Sequence, residues 1–141
     1  MTGPDRDDLV AALNELLERA RSTVSVIQVC LRATADEEVR GGLKEAIVSQ
    51  ARVCSTVYRH IQGLGAEPTT RMSPVGDDLH ARTELGPQME AVAGVLEDFI
   101  GLAEGHLALM DGFSRDFFAE ALPEQRQHLE WARKAAQRHA L

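Results

Sequence analysis

Five side chains stand where chemistry could be done: Gln50, Cys54, His106, Gln125 and His128. Each falls on a stripe of apolar residues recurring every three or four positions, so each is expected to point into a helical interior. An inward imidazole can ligate a metal or move a proton. An inward amide can orient a small ligand in an apolar pocket, or bond across the interior and fix register. Cys54 lies mid-helix with only Arg52 and His60 as local basic neighbours, so a small buried hydrophobe is its ordinary role. Glu97 and Glu104 lie seven apart on one side of a helix and read as a solvated face. If Glu97 turned inward beside His128 and Gln50, a mononuclear metal site would be possible.

The elements that would position these groups are all helical. Leu9, Leu13, Leu16, Ala20, Val24, Ile27 and Leu31 mark a first helix over about residues 7–34. Its second half, Val24 to Leu31, is apolar on nearly every side, which predicts a homodimer contact there and on the second helix. Asp36 is a good N-cap for a second helix over about 37–63, whose stripe reads Leu43, Ile47, Gln50, Cys54, Val57, Ile61. Gly63, Gly65 and Pro68 end it. Residues 65–78, rich in Gly, Pro, Thr and Ser, form the longest connection. A third helix over about 79–112 carries Met89, Val92, Leu96, Phe99, Ala103 and His106, with Gly86-Pro87 kinking or restarting it. Residues 114–122 read as a short connector, and Pro123 as the first residue of a fourth helix over about 122–139, with Gln125, His128, Leu129, Ala132 and Ala136 on one face. Trp131 sits one position off that face and is a candidate interface residue. Four such helices make an all-α, antiparallel four-helix bundle, one domain spanning residues 1–141.

Composition narrows the function. The chain has 141 residues with 44% hydrophobic, 26% charged and only 4% aromatic residues. At that length about 68% of the unfolded surface can be buried without staples. A formal net charge of −7 repels phosphate backbones, and few rings are available for base stacking, so nucleic-acid binding is not expected. No apolar run approaches 18 residues and no targeting segment is evident, so no membrane partner is expected and the setting reads as cytoplasmic with free thiols. No Ser-His-Asp set, zinc spacing or phosphate-binding glycine loop is present.

Bundles can hold two metal ions through a Glu from each of two helices and a Glu-x-x-His from each of the other two. Here the corresponding inward pairs are Gln50 with Val53 and Gln125 with His128, and the first helix offers Ala20. Neutral amides are poor ligands for hard cations and leave their charge unbalanced. The segments Leu13–Arg21 and Gln50–Cys54, with the ending Arg59–Pro68, nevertheless resemble a family of small bacterial ferritin-like domains. That resemblance implies a ferritin-like fold, a Glu where Ala20 stands and an acidic residue where Gln50 stands. The leading expectation is thus a ferritin-like bundle that lost its di-iron ligands. It would bind a small, largely apolar ligand lined by Gln50, Cys54, His106, Gln125 and His128, or dock an enzyme partner, with no cofactor and no catalytic residue. The alternative is a metalloenzyme with an altered iron or manganese centre using Glu97 and His128, with His106 as a further candidate. A purely structural helical module is the third possibility.

Overall fold

Local chemistry starts and stops the helices. Asp36 accepts the Val39 N–H at 3.0 Å and opens one helix, and Gly65, at φ +78°, lets the chain leave it, with Ala66 N–H reaching back to the Ile61 carbonyl. The computed structural model describes residues 3–74 and 82–140. These form α1 (Gly3–Ala33), α2 (Glu37–Gly63), α3 (Leu85–His106) and α4 (Gly112–Arg138), with a 3-10 turn at Leu107–Leu109.

α1 packs against α2 and α3, and α4 packs against the same two helices. Each adjacent pair is antiparallel. Between α2 and α4, the contacts Glu38–Arg138, Ser49–Gln125 and His60–Asp111 run in opposite numerical order along the two helices. Between α1 and α3, Glu15 meets His106 and Cys30 meets Met89. α2 and α3 therefore lie on a diagonal and point the same way, which demands a long connection. That connection runs along α1: Asn14 accepts the Thr69 N–H, Arg21 donates to the Thr69 and Arg71 carbonyls, and the Ser22 hydroxyl donates to the Ser73 carbonyl. Part of the apolar circumference of α1 is consumed within the chain, since Val26, Ile27 and Cys30 are buried while Val24 and Val29 stay half-buried.

The structure corrects several expectations from sequence. Residues 79–81 of the expected third helix lie outside the described residues; 82–84 are not helical, and α3 starts at Leu85. Gly86-Pro87 thus belongs to its first turn, where a missing N–H costs nothing. Gly86 is required there by close approach, because a Cβ would sit 2.3 Å from the His139 carbonyl oxygen. α3 ends at His106 rather than near Gly112.

The fourth helix begins at Gly112, ten residues earlier than expected, and Pro123 lies inside it. Asp111 is the true N-cap, accepting the Ser114 N–H at 2.9 Å. Phe118, Ala121 and Leu122 bury the added turns. Pro123 and Ala119, whose carbonyl would otherwise accept from residue 123, are both exposed. The orphaned carbonyl thus faces water, which lowers the ordinary cost of an interior proline, about 3 kcal/mol. Trp131 is half-buried and packs on α2, where a Cβ at Gly42 would sit 2.1 Å from its ring.

Candidate functional site

The core-facing line of α2 is Val39, Leu43, Ala46, Gln50, Val53, Val57 and Ile61. Ile47 and Cys54, expected on that line, lie one position round the helix and are half-buried. Gln50 is fully buried, and neither its Oε1 nor its Nε2 meets a hydrogen-bond partner among the described residues. Gln125 is also buried and donates from Nε2 to the Ser49 hydroxyl at 2.7 Å, leaving its Oε1 without a partner. The cross-bundle bond expected of Gln50 is thus made by Gln125 at the same level. A buried amide left unpaired costs about 1–3 kcal/mol, so this level lowers stability.

The histidines do not join the amides. His106 sits at the foot of α3, 3.3 Å from a Glu15 carboxylate oxygen on α1. His128 lies on the flank of α4, 3.9 Å from Glu124, and borders the grooves between α4 and α2 with Glu45 and Gln127. Glu97 is exposed, pairs with Arg133 at 3.0 Å and borders a separate groove between α3 and α4. The alternative metal set Glu97, His128 and His106 is therefore spread over three places on the molecule. Among the described residues, no group of three or more His, Cys, Asp or Glu is placed to hold a metal ion.

The fifth candidate, Cys54, lines a groove of about 480 Å³ between α1 and α2. Leu17 and Val24 of α1 and Ala51 of α2 complete its apolar lining, and Arg21, Ser55, Tyr58 and Arg59 supply its polar groups. Burial pushes the Cys54 thiol up to about 11, against a smaller lowering by the nearby Arg21 charge, so it is neutral at pH 7. The predicted pocket residues thus divide between the bundle centre (Gln50, Gln125), the grooves beside α4 (His128), the α1–α3 contact at Glu15 (His106) and this α1–α2 groove (Cys54).

Two polar features were missed from sequence. One is Ser49, whose position beside Gln50 was its only signal. The other is a cluster near one end of the bundle, where the His60 ring nitrogen donates to both Asp111 carboxylate oxygens at 3.0 and 3.2 Å and the ring lies 4.5 Å from Phe113. Burial acts to raise the Asp111 pKa, but bonds from Ser114 and the charge and bond of His60 outweigh it and hold the carboxyl below 3.8. His60 could be recognised as inward-leaning only once α4 was known to begin at Gly112.

The family model described as "Domain of unknown function (DUF6306)" matches residues 7–86, more than half of the chain. A solved structure titled "ferritin like, diiron-carboxylate proteins" from Bacillus anthracis str. Ames is similar in fold, with a TM-score of 0.81 over 94% of this chain and 98% of that one. Sequence identity to it is 14%, so the likeness is one of fold. No curated protein sequence matches the chain. No described helix is long and apolar enough to cross a membrane.

Proposed function

The chain belongs to the DUF6306 family, and from that premise we propose that it is a ferritin-like bundle that works by binding rather than by metal-centred oxidation chemistry. One observation carries the reading: the interior at mid-height presents neutral amides, Gln50 and Gln125, beside apolar side chains. A pair of hard cations needs carboxylate oxygens to balance their charge. The residues present do not fit the di-iron group named for the structural relative. A centre that offers uncharged amides and one orphaned side chain is poorly built to move electrons or activate oxygen. Its packed apolar surroundings leave the surface grooves between helices as the places where a ligand or partner would seat.

The test is metal analysis of protein purified from iron- and manganese-supplemented cells without chelator. The expected result is well below ~0.1 metal ion per chain, unchanged by His128→Ala or Glu97→Gln. Near-stoichiometric iron or manganese lost with His128→Ala would replace this reading by the metalloenzyme one.

A further inference from the structure

The α1–α2 groove combines three features that no other groove among the described residues combines. Its floor is apolar, made by Leu17, Val24, Ala51 and the half-buried, neutral Cys54. Its ionised side chains are both cationic, Arg21 and Arg59, and no acidic residue lines it, although the whole chain carries a net charge of −7. The two cations come from facing helices, Arg21 from α1 and Arg59 from α2. Arg21 donates to the Thr69 carbonyl at 2.6 Å, and Arg59 donates to the Ser55 hydroxyl at 3.4 Å, while Val24 and Ala51 add to the apolar lining. Among the described residues Arg59 makes that one long bond to its own helix, so its guanidinium retains donors for an incoming anion.

We propose that this groove binds a single-chain carboxylate amphiphile, a medium-chain fatty acid. Its carboxylate would lie between Arg59 and Arg21, and its tail along Leu17, Cys54, Ala51 and Val24. A volume of about 480 Å³ is within the range of small-molecule sites. Leu17 and Val24 stand seven positions apart on α1, which at about 1.5 Å per residue is roughly 10 Å of groove, the length of a tail of about eight carbons. Opposite charge makes a fatty acid a better occupant than a second copy of the chain. A carboxylate headgroup brings negative charge to both Arg21 and Arg59 on one small group. The inference rests on the binding-module reading and gives it a ligand class.

The experiment is calorimetric titration of the full chain with hexanoate, octanoate, decanoate and decyltrimethylammonium. Alkylation of Cys54 is followed in parallel; Cys30 is fully buried, so labelling of native protein reports the groove. We expect one decanoate per chain and roughly three- to fourfold tighter binding per added methylene up to the length of the floor. Decanoate should slow Cys54 alkylation, and the ammonium amphiphile should do neither. Arg59→Gln should weaken decanoate about tenfold. Ala51→Trp, at an exposed position that leaves the core untouched, should abolish binding while circular dichroism and melting stay unchanged. Three results overturn the proposal: no decanoate binding, equal binding of acid and ammonium, or decanoate binding unaffected by Ala51→Trp. Protection of Cys54 that rises with protein concentration in the absence of amphiphile also overturns it, since a second copy then covers the face. Metal content separates the two readings. A metal-free protein that ignores decanoate loses only this ligand, whereas bound stoichiometric metal removes the binding-module reading itself.

Discussion

The middle of the bundle and the end that holds His60 and Asp111 treat their polar side chains differently. At that end the half-buried Asp111 caps α4 and receives two bonds from the half-buried His60 ring, although the buried Ser114 Oγ beside it has no partner among the described residues. In the middle, Gln50 is sealed from solvent with no partner among the described residues, and Gln125 meets one there through Nε2 alone. The same helices supply both levels, so the difference is one of chemistry rather than of packing quality. A polar network that closes on itself fixes the junction of the 3-10 turn and α4. A polar group that closes on nothing lowers stability without specifying anything.

The sharpest way to break the contrast is to charge the middle. Gln50→Glu is expected to lower stability at neutral pH by about 3–5 kcal/mol, because a carboxylate would be buried without a partner. Burial raises the folded-state pKa of such a group above its unfolded value near 4.3, so the loss should shrink as the pH falls toward that value. Denaturant titrations at pH 5 and pH 8 measure this; equal losses at both would show that the position is hydrated. Neutralising the same position sharpens the comparison. Gln50→Leu should raise stability by about 1–2 kcal/mol, read as a higher urea midpoint at unchanged slope. A fall in the midpoint instead would reveal a partner for the amide.

At the end level the signs reverse. Asp111→Ala should destabilise by about 1–2 kcal/mol, through loss of the cap and of the bond to His60. Because the folded Asp111 pKa is depressed, its contribution is present above the unfolded value of 3.8 and lost as pH falls through the lower folded value. Stability measured from pH 6 to pH 2.5 should therefore fall less steeply in Asp111→Ala than in the parent. The smallest effect lies at the opposite end of the same helix pair. Glu38→Gln, which breaks the exposed contact to Arg138, should change stability by less than ~0.5 kcal/mol, and added salt should mask even that.

Much of this architecture was legible beforehand, and the misses have physical causes. The spacing of Leu9 through Ile27 and of Leu43 through Ile61 placed α1 and α2 because period 3.6 survives any packing arrangement. Pro123 misled because its dislike of helix interiors is a local rule, and Phe118, Ala121 and Leu122 overrode it with buried area. Gln50 and Gln125 were placed inward correctly from the stripe. Which of them would find Ser49 depended on rotations of a few tens of degrees about each helix axis. Cys54 and His128 fell on the flanks for the same reason, since a stripe drawn on one helix is wider than the line its neighbours actually cover.

The sequence by itself determined four amphipathic helices, their sense of pairing through short and long connections, and a centre poor in acidic side chains. These follow from residue types at fixed periods, which are local properties. Only the tertiary structure decided which polar atoms meet, that the five singled-out side chains divide among different places, and that Arg21 and Arg59 flank a shared apolar groove. Those outcomes depend on how one helix is rotated against another, a quantity set by the packing of all four together and written in no single segment.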